Sequence, residues 1–212
     1  MPYHLTDFHS DLLKLIIKNL DPCMRAMLKV TCKRMHTVIT AMLQGNTKDK
    51  GTVVDSAIRY GHLEIIRYLI TLGHKVNKSI CSLAATVGHL HILVWARENQ
   101  YPCPGVVCAS ASYAGHLHIL KYLKETDCFY SNYIMNNAAY GGHIHILEWL
   151  DSSYGLQLNT DVPVWAVKGG RLHVLQWLHE RNCPRDKSVI RNAVSRGFPD
   201  IVSWARDNGY PE

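Results

Sequence analysis

The sequence predicts an all-α fold, a solenoid of six helix-turn-helix units preceded by a short three-helix segment. Three regularities carry that expectation. Gly61, Gly88, Gly115, Gly142, Gly170 and Gly197 follow one another at a step of 27 residues, with a single 28. Each opens the same phrase, sharpest as GHLHIL at 88–93 and 115–120 and GHIHIL at 142–147, and looser as GHLEII, GRLHVL and GFPDIV elsewhere. An alanine stands four residues before every one of these glycines, and an aromatic stands seven after. A fixed period in this range signals stacked supersecondary units, each covering the apolar face of its neighbour.

The first 43 residues lie outside the period. Leu12, Leu13, Leu15, Ile16, Ile17 and Leu20 make a helix that is apolar over much of its circumference, and such a helix needs partners on more than one side. Asp21-Pro22 stops it, because the residue before proline is pushed out of the α region. Two more short helices are expected over residues 24–30 and 33–43. Residues 44–51, QGNTKDKG, are polar, carry no apolar anchor and read as a linker to repeats spanning 52–212. Three short helices of this size bury too little surface to fold alone. They lean on the repeats, on a partner, or on both.

This segment resembles an F-box, the motif by which substrate receptors attach to the Skp-family adaptor of cullin–RING ubiquitin ligases. Asp11, Leu12-Leu13, Ile16 and Leu20-Asp21-Pro22 match its acidic, aliphatic and Leu-Asp-Pro positions without a gap. Cys32-Lys33 fall where the family has Cys followed by a basic residue. Phe8-His9 stands in place of the usual Leu-Pro, and Met35 in place of the usual Trp. The resemblance implies an adaptor-binding set of Phe8, Asp11, Leu12, Leu13, Ile16, Leu20, Pro22 and Cys32. The alternative is a helical cap, since a solenoid needs end units with an altered face.

The repeats define two helices each. Ala57, Ala84, Ala111, Ala138, Ala166 and Ala193 lie four before the glycine; Val53, Ile80, Val107, Ile134, Val162 and Val189 lie eight before it. Positions four apart share a helix face, so a first helix with a narrow inner stripe is expected. Thr52, Ser79, Asp161 and Ser188 are the expected N-caps, and the glycine ends the helix in a left-handed conformation. In the second helix Ile65-Ile66, Ile92-Leu93, Ile119-Leu120, Ile146-Leu147, Val174-Leu175 and Ile201-Val202 are in register. So are Tyr68, Trp95, Tyr122, Trp149, Trp177 and Trp204. Spacings of three and four build one apolar face, and the aromatic column reads as a ridge between units. Tyr101-Pro102, Cys183-Pro184 and Tyr210-Pro211 punctuate the linking loops. In the sixth copy Phe198-Pro199-Asp200 replaces His-Leu-His, and proline suits the first turn of a helix.

A helix, a glycine turn, a second helix and a loop, repeated with G-H-x-x-[IV]-[VL], resemble the ankyrin repeat over residues 52–212. The step is shorter than the family's roughly 33 residues. The Thr-Pro-Leu-His opening is reduced to Thr52, Ser79 or Ser188 followed by Val or Ile. Short loops with little or no β-hairpin finger are therefore expected. The expected fold is an ankyrin-like α-solenoid of six repeats with an N-terminal F-box-like segment.

Composition narrows the function classes. With 212 residues, 47% hydrophobic and 19% charged, the chain is ordinary for a soluble protein. No apolar run approaches the ~18 residues of a membrane span, and residues 1–11 lack the basic start and apolar stretch of a signal peptide. Seven cysteines without a CxxC pair argue against a disulfide framework or a structural zinc site. The net charge of +6 is spread along the chain and forms no basic stripe for nucleic acid. The expectation is a cytoplasmic monomer without cofactor, metal, nucleic-acid or membrane partner. His89/His91, His116/His118 and His143/His145 invite a metal reading. Residues two apart on a helix do not face each other, and the first turn disfavours a cationic ring. A ladder of the second histidines down the stack would be the one arrangement for an inter-repeat metal; the expectation instead is that these histidines are neutral hydrogen-bonding groups. No glycine-rich phosphate loop, G-x-S-x-G or H-E-x-x-H is present, so no catalytic residue and no enzymatic activity are expected.

A partner surface is expected in first-helix columns that vary, at one, two, five and six residues before the glycine. In ankyrin stacks the first helices line the concave face, where partners sit. The resemblance thus implies a groove of Arg59, Tyr60, Tyr113, Asn136, Tyr140, Trp165, Lys168, Arg191 and Arg196. Aromatics and arginine are the residue types enriched at interface hot spots. Leu83 and Trp165 could instead pack against neighbouring helices. The expected function is non-catalytic protein recognition, with a target in the groove and the Skp-family adaptor and cullin reached through the N-terminal helices. The combination resembles ankyrin/F-box proteins of large DNA viruses, which redirect host ligases. A stand-alone scaffold whose N-terminal helices only cap the stack is the other reading.

Overall fold

A computed structural model of the protein describes residues 18–20, 24, 52–71, 73–126, 134–155 and 159–212. The expected F-box-like residues Phe8, Asp11, Leu12, Leu13, Ile16, Pro22 and Cys32, and the linker, lie outside the described residues; Leu20 lies within them and is half-buried. From residue 52 onward the chain forms six helix pairs, with no strand among the described residues. They are α1 (Thr52–Arg59) with α2 (Leu63–Thr71), α3 (Ile80–Val87) with α4 (Leu90–Glu98), and α5 (Val106–Ala114) with α6 (Leu117–Glu125). Then come α7 (Ile134–Gly141) with α8 (Ile144–Tyr154), α9 (Asp161–Lys168) with α10 (Leu172–Glu180), and α11 (Ser188–Arg196) with α12 (Pro199–Asp207).

One turn joins the helices of every pair. The residue after the glycine donates its N–H to the carbonyl of the column alanine, from His62 to Ala57 at 2.9 Å through Phe198 to Ala193 at 3.0 Å. This is the Schellman closure of a helix C-terminus, and it requires a left-handed residue at the glycine. Gly88 shows both reasons for the residue type. Its φ is +85°, and a Cβ there would lie 2.7 Å from the His116 ring of the next unit. The second helices end on the same pattern. His74, Tyr101, Cys183 and Tyr210 each donate an N–H to Leu69, Ala96, Leu178 and Ala205 at 3.0 Å, after a positive-φ residue at Gly73, Gln100, Asn182 or Gly209.

Of the expected N-caps, one holds the cap position. Ser79 precedes α3 but makes no side-chain cap bond, while Thr52, Asp161 and Ser188 are already the first residues of their helices. The chain is turned two residues earlier by Asn or Asp. Asn77 Oδ1 accepts the Ser79 N–H at 3.1 Å, and Asn159 Oδ1 accepts that of Asp161 at 3.1 Å. Asp186 Oδ1 accepts the Ser188 N–H at 2.7 Å and its hydroxyl as well. Such Asx turns satisfy an N–H that a serine cap would otherwise take.

The six column alanines are fully buried. With no side chain beyond Cβ to separate them, the first helices stack directly on one another from α1 to α11, while second helices of adjacent units stay farther apart at the backbone. The stack therefore curves, with the first helices on its inner side. Leu83 packs against the core and leaves the partner face. On the outer side Trp95 and Trp177 are buried, and Tyr122, Trp149 and Trp204 half-buried. Arg97 lies 5.5 Å from the Tyr122 ring of the next unit, and Lys124 lies 5.7 Å from that of Trp149. Trp177 Nε1–H donates back to Glu148 of the preceding unit at 3.4 Å. The aromatic column is a ridge between units. Cys183 belongs to the core too: burial pushes its thiol up to about 11, and its Sγ–H donates to the Asn159 carbonyl at 3.4 Å.

Two glycines in a column expected to face a partner are committed to packing. Gly169 has φ −86° and ψ −5°, a conformation any residue adopts. A Cβ added there would press into the Tyr140 carbonyl, and one at Gly141 into that of Tyr113. Alanine is ordinarily the better helix former by about 1 kcal/mol. Here Gly169→Ala is expected to destabilise the protein by ~1–3 kcal/mol through overpacking. Urea unfolding measures it, and an unchanged or raised midpoint contradicts the close approach.

Candidate functional site

The face that could bind a partner is set by how adjacent units lock together. In the glycine turn, the carbonyl of the residue four before the glycine is taken by the turn itself, and in four of the six units so is that of the residue three before. The carbonyl two before it lacks an intrahelical donor, as the last carbonyls of a helix do. The next unit supplies one. His89 Nε2–H donates to the Arg59 carbonyl at 3.0 Å, His116 to Thr86 at 3.1 Å and His143 to Tyr113 at 2.9 Å. In the fifth unit Arg171 Nε donates to Tyr140 at 3.1 Å. The sixth unit has Phe198 at that column, and Arg196 Nη1 reaches the Lys168 carbonyl instead, at 2.9 Å. The donor changes chemically along the stack, but the acceptor column does not.

A second ladder runs beside the first. His91, His118, His145 and His173 donate Nε2–H to the turn-glycine carbonyls of Gly61, Gly88, Gly115 and Gly142 at 2.9–3.1 Å. Because a carbonyl only accepts, each Nε2 carries a hydrogen. The rings of each pair lie side by side, with centroids 5.6 Å apart for His89/His91 and 5.7 Å for the other two pairs. That corrects the expectation that they point apart. The first histidine of each pair stands just outside the helix, with ψ of +80°, +74° or +79°, so helical spacing does not govern it. Among the described residues no group of three or more His, Cys, Asp or Glu is placed to hold a metal.

Once its carbonyl is used, the residue two before the glycine presents its side chain on the inner face. Tyr113 and Tyr140 do so, with ring centroids 5.8 Å apart, and Tyr140 meets the Trp165 ring edge-on at 6.2 Å. Lys168 Nζ lies 4.4 Å over the Trp165 ring. Four of the sequence-predicted groove residues thus form one continuous file across three units. Tyr113 remains 48% exposed and Trp165 37%, so Trp165 stays on the surface rather than joining the core. Arg59 and Tyr60 are exposed at the opposite end, and the Tyr60 ring stacks on His62 at 6.5 Å, apart from the file. Asn136 is half-buried and Arg191 is exposed on α11. The helices α3, α5 and α7 carry no charged side chain, so the middle of this face is neutral and its cations lie toward the ends.

Sequence reasoning missed one contact that steadies the file. Ser112 is buried, and its Oγ–H donates to the Ile134 carbonyl at 2.5 Å, tying α5 to the start of α7. The signal was present: Ser112 is the single polar residue in a column otherwise filled by Ile58, Ala85, Ala139, Val167 and Val194.

No protein-family model and no curated protein matches the sequence. Among solved structures, the chain is similar to the ankyrin repeat domain of human ASB11, with 17% identity and a TM-score of 0.53, covering 74% of this chain and 84% of that one. The fold is that of an ankyrin stack. No helix among the described residues is long and apolar enough to cross a membrane.

His143→Ala leaves the Tyr113 carbonyl without its donor and is expected to lower stability by about 1–3 kcal/mol. His143→Arg, which copies the Arg171 arrangement, should recover most of that loss. Chemical denaturation of both variants measures the difference, and equal losses would exclude a donor role. A pH dependence follows from the same groups. Burial holds His116 and His143 below the ordinary imidazole value of 6.5, opposed in part by the Thr86 and Tyr113 carbonyls and reinforced by neighbouring histidines. As pH falls, the unfolded chain takes up these protons first, so protonation favours unfolding. Stability is full above 6.5 and is lost as pH drops through the lowered folded-state values. Thermal melts from pH 7.5 to 5 should show a falling midpoint that flattens in a variant lacking both rings.

Proposed function

We propose that the chain is a non-catalytic recognition protein whose first-helix face holds a protein target. The observation that carries this reading is the file of Tyr113, Tyr140 and Trp165 with Lys168 laid on it. Rings that already touch one another lose little freedom on binding, and rigid, partly exposed aromatics are the usual anchors of an interface. Arg59, Tyr60, Asn136, Arg191 and Arg196 complete the face in this reading. The N-terminal helices, through Leu12, Leu13, Ile16 and Leu20, attach a Skp-family adaptor and its cullin. The chain then serves as substrate receptor of an SCF-type ubiquitin ligase in the cytoplasm, that of a host cell if the viral resemblance holds. What supports this finer part is the gapless run from Asp11 to Pro22 together with Cys32.

The test uses the full chain and its Leu12→Asp/Ile16→Asp variant in pull-downs of a purified Skp-family adaptor. The native chain should retain the adaptor and the variant should lose it. No binding by the native chain removes the ligase reading and leaves a scaffold whose N-terminal helices are a cap. In parallel, Tyr140→Ala/Trp165→Ala should weaken target capture tenfold or more, the order expected for a hot-spot pair, while adaptor binding and melting temperature stay unchanged. Unaltered capture would move the target site off this face.

A further inference from the structure

The file of rings has polar company that its own fold does not use. Ser110 lies three residues before Tyr113, and Asn136 four before Tyr140, so each shares a helix face with a ring of the file. Ser82 holds on α3 the column that Asn136 holds on α7. All three are half-buried, and none makes a side-chain hydrogen bond among the described residues. Other polar side chains of the first helices are engaged within their own helix. Thr86 Oγ1–H donates to the Ser82 carbonyl at 2.8 Å, and Asn192 Nδ2 donates to that of Ser188 at 2.6 Å.

Cations stand at one end of the file. Lys168 Nζ lies over the Trp165 ring, and Arg196 reaches the Lys168 carbonyl. Asp161, the single carboxylate of α9, opens the helix that Lys168 closes, and α11 has none. Neither Lys168 nor Arg196 has an ion-pair partner among the described residues, whereas Arg191 already acts on Asp186. The face is therefore neutral at Tyr113 and positive beyond Trp165.

We infer that the occupant of this face is an extended, acidic segment of another protein. Its apolar side chains lie at alternate positions over Tyr113, Tyr140 and Trp165, and its Asp or Glu residues lie beyond them, toward Lys168 and Arg196. This rests on the reading of the first-helix face as the target site. Ring centroids 5.8 and 6.2 Å apart suit alternate residues of an extended chain, ~6.6 Å apart, and equally residues four apart on a helix, ~6 Å apart. The polar side chains decide between the two. A helix keeps its backbone groups for itself, so covering Ser82, Ser110 and Asn136 with one removes their water without a backbone partner in return. An extended chain brings an N–H and a C=O at every residue, and a hydroxyl or a carboxamide can both donate and accept. Charge selects the sign. Cations without a carboxylate of their own favour an acidic segment, and the chain's +6 repels a basic one.

Fluorescence anisotropy of labelled synthetic peptides against the full chain tests this. The first peptide carries valine at alternate positions, a proline that forbids a helix, and an acidic run, made in both chain directions. The second has lysine in place of the acids, and the third is an acidic amphipathic helix. The first should bind, in its better direction, at least tenfold more tightly than either of the others. Tyr140→Ala/Trp165→Ala and Lys168→Glu should each weaken it tenfold or more, and Ser110→Ala/Asn136→Ala several-fold, with melting temperatures unchanged. A helical peptide that binds as tightly through the same rings overturns the extended form and leaves the target face standing. Equal binding of the basic peptide overturns the charge assignment. No binding by any peptide, or binding indifferent to Tyr140 and Trp165, overturns the inference as a whole. The target face itself stands or falls separately, on whether Tyr140→Ala/Trp165→Ala loses target capture.

Discussion

Each junction of the stack rests on a carbonyl that its own helix cannot satisfy. The glycine turn uses the carbonyl four before it and leaves the one two before it, at Arg59, Thr86, Tyr113, Tyr140 or Lys168, pointing toward the following unit. An orphaned backbone acceptor at a packed junction costs roughly as much as a lost hydrogen bond. The donor must therefore come from about thirty residues further along the chain, and it does, as histidine or arginine. Local turn geometry and long-range stacking are thus one constraint: the conformation that ends a helix also aims the acceptor that fastens the next pair.

This arrangement separates the junction from the side chains laid over it. The junction uses the main chain of the residue two before the glycine, so its side chain is free to differ from unit to unit. Arginine, threonine, two tyrosines and lysine occupy that column without altering the bond beneath them. A surface built this way can change its side chains without changing its fold. The file of Tyr113, Tyr140 and Trp165 is one such choice of side chains, laid on a backbone that would form with others.

Close approach on one side and bulk on the other give the stack its curvature. Buried alanines, and glycines at 141 and 169, bring first helices together on the inner side. Tryptophan and tyrosine, overlaid by Arg97 and Lys124, hold second helices apart on the outer side. Units that touch only their neighbours contribute to stability in sequence, so an uncovered end is felt there first. Val194 is 58% exposed, whereas its counterparts three before the other turn glycines are fully buried.

The columns of alanine, aliphatic pairs and aromatics were legible in the sequence because a repeat places the same residue in the same surroundings six times. Periodicity alone therefore determined the helix pairs and the glycine turns. It missed the Asx turns before the first helices, because Asn77, Asn159 and Asp186 act on an N–H two residues ahead and resemble ordinary loop residues. It misjudged the histidine pairs, because helical spacing does not hold for a residue outside the helix. What only the tertiary structure decided were contacts between units: which carbonyl each ring reaches, why Gly141 and Gly169 admit no Cβ, and that Val194 stands uncovered. Those depend on the distance between two stretches of chain about thirty residues apart, and a one-dimensional pattern records their separation along the chain but not across it.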